Sequence, residues 1–341
     1  MAKRIGGQTV LLPARPVILG SAAVGTQKEA KGPLGERFDR IFSDASLGMP
    51  NWERAESELQ RAAVECALDN ASLSPRQVQL ILAGDLQSQC TASAFCIRAF
   101  PVPFAGMYGA CSTMALTLAM AGILTDCGAA ETAVACTSSH FCAAERQFRM
   151  PLEYGGQRTP TAQWTATAAG AAVVGRTGEG PHLEAAIFGR IEDLGVKDSS
   201  NMGAAMAPAA CETIAAFLRD TDTTPRDYDM ILTGDLGVVG SKLLTELMER
   251  EHGIQLRHVH ADCGVLLYDR EKQDVHAGGS GCGCSAAVVC GDILRRLREK
   301  SLHRVLVVAT GALLSAMSVK QGASIPGIAH GVLLASGEAS E

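Results

Sequence analysis

The chain has 341 residues, of which 47% are hydrophobic, 19% charged and 4% aromatic, with a formal net charge of −6. This apolar content excludes a disordered chain, and 36 glycines without a Gly-X-Y period exclude collagen. The mild acidity, with no Lys/Arg-rich run, argues against a nucleic-acid partner, and the length suits about two domains.

Lys3 and Arg4 precede an apolar stretch, but Pro13, Arg15 and Pro16 interrupt it, so no signal peptide is expected. The first strong element is an amphipathic helix in which Trp52, Ala55, Leu59, Ala62, Cys66 and Ala67 recur at helical spacing. Ser74 and Pro75 then open a short helical turn, and a buried strand follows, ending at Gly84-Asp85. Gly109-Ala110-Cys111-Ser112-Thr113 marks a strand-to-helix turn ahead of an Ala-rich helix over 114–124. A strand at Val134–Ser138 leads into residues 141–149, where a helix would put Cys142, Arg146 and Arg149 on one face.

The second half repeats this plan. Ile214, Phe217 and Leu218 belong to another amphipathic helix, and the segment from Thr224 to Leu236 matches that from Ser74 to Leu86 at seven of thirteen positions, 150 residues apart. Cys284-Ser285, heading a helix over 285–293, matches Cys111-Ser112 at an offset of 173, and so does Val307–Gly311 against Val134–Ser138. About 23 extra residues therefore lie between Gly234 and Cys284. Long apolar strands alternating with helices predict mixed or parallel sheets covered on both faces. The uncharged run Val305–Val319 falls short of the roughly 18–20 residues that span a bilayer, so no transmembrane helix is expected.

The twelve cysteines are scattered with no CxxC pair, a pattern that fits neither a zinc cluster nor a disulfide scaffold. Most read as small buried hydrophobes in a reducing compartment, and no metal site is expected. Cys111 differs. A thiol at a helix N-terminus meets unpaired N–H groups and the positive end of the helix dipole, which favour the nucleophilic thiolate.

Two βα-rich halves with Gly109-Ala110-Cys111-Ser112 at the first central helix resemble the thiolase/ketoacyl-synthase superfamily. The resemblance implies an α/β, thiolase-like five-layered αβαβα fold made of two duplicated halves. Here they would be residues 1–176, with the Cys111 turn and the 140–165 segment, and residues 177–341. A narrower series runs in order over nearly the whole chain. It begins with Lys31-Gly32-Pro33-Leu34-Gly35, Ala83-Gly84-Asp85-Leu86 and Thr137-Ser138-Ser139-His140. It continues with Glu153-Tyr154-Gly155-Gly156-Gln157, Asn201-Met202-Gly203-Ala204, His260-Ala261-Asp262-Cys263-Gly264 and Ala277-Gly278-Gly279-Ser280-Gly281-Cys282. This series is similar to the stage V sporulation protein AD family of spore-forming bacteria.

That resemblance implies non-catalytic binding of dipicolinic acid (pyridine-2,6-dicarboxylate), free or as its calcium chelate, during uptake into the developing spore and release in germination. It implies membrane-embedded sporulation proteins as partners and no cofactor. It also implies synthesis in the cytoplasm of the developing spore and peripheral association with the spore inner membrane. Superfamily members are often homodimers.

Related condensing enzymes complement the cysteine with a His and an Asn that donate hydrogen bonds to the developing oxyanion. By chain order His260 is the expected histidine, and Cys282 stands where the amide would be. A thiol is a weak donor, which counts against condensation. The alternative is acyl transfer with Cys111 as nucleophile and His260 as its partner. For the ligand, the expected contacts are Cys111, Thr137, Ser138, Ser139, His140, Arg146, Arg149, His260 and Cys282, because bidentate guanidinium groups and hydroxyls suit a planar dicarboxylate. The competing reading pairs the arginines with Glu145 or Glu153 and leaves His140 a structural, hydrogen-bonded histidine. Asp85 and Asp235, kept by both halves, read as acids that fix turns. Gly278–Gly283 lacks the Gly-Lys-Ser/Thr of a phosphate loop and reads as a tight turn beside the pocket.

Overall fold

The computed structural model describes residues 1–148 and 157–337. The helix Trp52–Asn70 starts where Asn51 Oδ1 accepts from Arg54 N at 2.9 Å, and it buries Ala55, Leu59, Ala62, Ala63 and Ala67 on one face. Both copies of the sequence repeat fold alike. Ser74 and Thr224 form reciprocal caps with Gln77 and Asp227, Pro75 and Pro225 open single turns, and the strands Leu80–Gly84 and Met230–Thr233 follow.

The strands fall into two sets of five with the same order. In the first, Phe104–Gly106, Leu80–Gly84 and Thr132–Ser139 run parallel, and Ala168–Gly175 and Val17–Thr26 complete the set by antiparallel pairing. In the second, His260–Asp262, Met230–Thr233 and Arg304–Ala312 are parallel, followed by antiparallel Gly327–Ala335 and His182–Phe188. The sets join where Val17 pairs with His182.

Three apolar cores separate five layers. One packs the helix Trp52–Asn70 on the first set through Leu59, Val64 and Ile81. Another packs the helix Met202–Thr221 on the second set through Ile214, Phe217 and Leu306. Between the sheets lie the helix Thr113–Asp126 and a continuous helical run starting at Cys282, with Leu118, Val288, Leu232 and Val307 in the shared core. Small side chains dominate both central helices, which lets the sheets approach closely. The central helix expected over 285–293 is longer than its periodicity implied. It begins at Cys282, widens into a π segment at Val289–Ile293 and ends at Arg298.

The extra length of the second half is also accounted for. The helix Gly237–His252 replaces the short Thr91–Ile97, and a further turn, Cys263–Leu266, is added.

Candidate functional site

Cys111 sits one residue before the N-cap of the helix Thr113–Asp126, in a turn closed by Ser112 Oγ on Gly109 O (2.6 Å) and Thr113 Oγ1 on Ala110 O (2.6 Å). Ala110 holds φ +50°, a conformation disfavoured for a residue with a side chain. Across from this turn, Gly311 of the strand Arg304–Ala312 comes so close that a Cβ there would stand 2.4 Å from Gly109 O.

The Cys111 side chain opens onto a cleft of about 510 Å³, counting its open mouth. Leu86, Ala144 and Phe148 form one wall, and Met202, Ala312 and Leu314 the other. Tyr108, Glu145, Thr165, Ser199 and Ser280 supply polar atoms. Among the described residues no lysine, arginine or histidine lines it.

The group facing the Cys111 thiol is Asp235. This carboxylate is completely buried and accepts from Ser280 Oγ (3.0 Å), Gly281 N (2.9 Å), Thr310 Oγ1 (2.8 Å) and the Cys111 thiol. Burial raises its pKa, and the four donors oppose that rise. Gly281 reaches Asp235 because it adopts φ +96°, with Ser139 Oγ only 2.6 Å from where a Cβ would be.

The consequence for Cys111 reverses the expectation from its helix terminus. Burial first, then the charge of Asp235 and the hydrogen bond to it, push the thiol well above its ordinary value. A helix dipole is worth about 1 kcal/mol, whereas burying an ion costs several, so the neutral thiol prevails.

Several sequence expectations need correction. His260 lies on the edge strand His260–Asp262, with Nε2 2.9 Å from Thr233 Oγ1, and does not line the cleft. Burial lowers its pKa to about 4, so it is a neutral, structural imidazole. Cys282 packs beside Cys111, but its thiol donates to Ser138 O at 2.9 Å, and Ser280 is the residue of that turn that reaches the cleft. Asp235 does not merely fix a turn. Its counterpart Asp85 does, accepting from Gln87 N (2.9 Å), Ser93 N (2.8 Å) and Ser93 Oγ (2.7 Å).

The hydroxyl run is likewise consumed internally. Thr137 Oγ1 donates to Cys282 O (3.3 Å), Ser138 Oγ to Glu56 Oε1 (3.0 Å) and Ser139 Oγ to Ala166 O (2.7 Å), all without solvent exposure. His140 stacks on Trp52 and donates from Nε2 to Ala45 O at 2.7 Å, and burial lowers its pKa. Arg146 turns away from the cleft onto Glu53, in a shallow recess beside Asn51 and Trp52. Arg149 lies outside the described residues.

The sequence marks Asp235 only as a turn-fixing acid and gives no role to Ser280 or the cleft walls. One signal was present: Asp85 is followed eight residues on by Ser93, whereas Asp235 is followed at that spacing by Leu243. With no serine there to satisfy it, the Asp235 carboxylate takes donors from Ser280, Gly281 and Thr310, farther along its own half, and from Cys111 of the other.

Comparison with known proteins agrees with this architecture. The family described as stage V sporulation protein AD matches residues 6–335. Stage V sporulation protein AD of Bacillus subtilis (strain 168) is 44% identical over 331 residues, covering 97% of each chain. Among solved structures, 3-oxoacyl-[acyl-carrier-protein] synthase III from Aquifex aeolicus VF5 superposes with a TM-score of 0.57 at 14% identity, covering 94% of this chain and 99% of that one. OleA of Xanthomonas campestris gives a TM-score of 0.60 at 12% identity, covering 94% and 98%. These two likenesses establish the thiolase-like fold alone.

Proposed function

The chain belongs to the stage V sporulation protein AD family, and from that premise we propose that its cleft beside Cys111 binds dipicolinate without catalysis, as the calcium chelate. The observation that carries this reading is the Asp235 carboxylate on the Cys111 thiol. Nucleophilic thiols are activated by a base or a neighbouring positive charge. Here no positive charge faces the thiol; burial and the negative charge of the Asp235 carboxylate keep it protonated, which disfavours attack on an acyl thioester.

Charge favours the chelate over the free dianion. A dicarboxylate carrying two negative charges would enter beside Cys111, with the buried Asp235 carboxylate hydrogen-bonded behind that thiol. In a one-to-one chelate the calcium cancels both charges, so entry into a low-dielectric cleft costs far less. Leu86, Phe148, Met202 and Leu314 suit the faces of a pyridine ring, and the hydroxyls of Thr165, Ser199 and Tyr108 suit its rim. No described helix is long and apolar enough to cross a membrane. On this reading the chain meets the spore inner membrane peripherally, through membrane-embedded sporulation proteins, and passes the chelate to or from them during uptake and germination.

The test of the chemistry is intact-mass spectrometry after incubation with acyl-CoA. An unmodified mass is expected. A stoichiometric acyl adduct mapped to Cys111 would overturn the proposal in favour of acyl transfer.

A further inference from the structure

We propose that Cys211, Glu212, Glu251 and His252 form a zinc site where the helices Met202–Thr221 and Gly237–His252 pack side by side. One donor atom from each of the four lies within 4.8 Å of all the others. His252 Nε2 is 2.9 Å from Glu212 Oε1. In tetrahedral zinc sites, metal–ligand bonds of roughly 2.0–2.3 Å put ligand atoms about 3.3–3.8 Å apart. The four donors thus need to close by about 1.5 Å at most, a movement that side-chain torsions provide.

A second observation points the same way. The Cys211 side chain is 1% exposed, and its sulfur makes no hydrogen bond among the described residues. An unpartnered sulfur therefore sits at the floor of a group whose other members, Glu212, Glu251 and His252, reach partly into solvent. The site also caps a helix C-terminus. Gly237–His252 ends at Gly253 in the left-handed conformation, and the unpaired carbonyls of its last turn add negative potential for a cation. Arg250 occupies Glu251 at 2.8 Å, but at 74% exposure its guanidinium can leave without burial or strain.

Donor chemistry selects the ion. Thiolate and imidazole favour zinc and other late first-row ions over calcium or magnesium, so this site is chemically distinct from any role of calcium in the cleft. Binding would displace the Cys211 thiol proton to solvent and tie together two helices of the outer layer. Cysteine spacing could not reveal such a site, because its ligands come as adjacent pairs from helices about forty residues apart.

The test uses the full chain, stripped with a chelator and titrated with cobalt(II), then with zinc(II) as competitor. One equivalent of cobalt should give tetrahedral d–d bands and a near-ultraviolet sulfur-to-cobalt band, both abolished by zinc. Cys211→Ser should remove the sulfur band, and His252→Gln and Glu251→Gln should each weaken binding at least ~10-fold. Absence of the sulfur band in the wild type, or its survival in Cys211→Ser, would overturn the site. If Cys211→Ser fails to fold, unchanged affinity in His252→Gln overturns it equally.

Discussion

Replacing Glu56 with Gln should make stability less sensitive to alkaline pH. Glu56 is 1% exposed, on the buried side of the helix Trp52–Asn70. Its Oε1 accepts from Ser138 Oγ at 3.0 Å and its Oε2 from Gln87 Nε2 at 2.7 Å. Burial, followed by the charge of Asp85, pushes its pKa from 4.5 up to about 8. Below 4.5 both folded and unfolded chains hold the proton, and no penalty arises. As pH rises from 4.5 towards 8 the unfolded chain releases the proton while the folded chain keeps it, so stability falls; above 8 the loss is complete. The gap at about 1.4 kcal/mol per pH unit amounts to about 5 kcal/mol in full, of which about 3 kcal/mol develops between about pH 5 and pH 8. Gln carries no such proton. Its amide also finds a partner, because Gln87 Oε1 is buried without one and becomes available when that amide turns over. Guanidinium unfolding of wild type and Glu56→Gln at both pH values is the assay. The variant should gain about 3 kcal/mol relative to wild type on going to pH 8. A difference that stays constant to within about 0.5 kcal/mol would refute the assignment of Glu56 as a buried neutral acid.

Other outcomes follow from the same geometry. Asp235→Asn removes the charge that holds the Cys111 thiol protonated, so alkylation of Cys111 by iodoacetamide at neutral pH, followed by peptide mass spectrometry, should quicken about tenfold. An unchanged rate would show that burial alone governs the thiol. Arg146→Ala should leave chelate affinity within about twofold, because its partner is Glu53, and a half-exposed pair of this kind is worth ~0–1 kcal/mol to folding. A tenfold loss of affinity would restore Arg146 to the binding site.

Much of the fold is legible in the sequence because duplication leaves local signals twice. The Pro75 and Pro225 turns, with their capping partners Gln77 and Asp227, fix the entry to equivalent strands in both halves. The Cys111 turn is legible for a similar reason: small residues before an Ala-rich segment mark a strand-to-helix corner. The cleft is less legible because its chemistry arises across the interface between halves. Nothing near Asp235 in the chain announces that Ser280, Thr310 and Cys111 converge on it. Hydroxyl density misleads in the opposite direction. Ser138 and Ser139 look like ligand contacts, yet a buried strand must satisfy its own polar groups, and Glu56 and Ala166 take both hydroxyls. His260 stands in a plausible place along the chain but on the far edge of its parallel strand group.

The most direct measurement is calorimetric titration of the full chain with dipicolinate, with and without equimolar calcium, beside a Ser199→Trp variant that fills the cleft mouth. Saturable one-to-one binding that is stronger with calcium and is lost in Ser199→Trp is the expected result. Binding that is indifferent to calcium, or that survives intact in Ser199→Trp, would contradict a chelate held in the cleft beside Cys111.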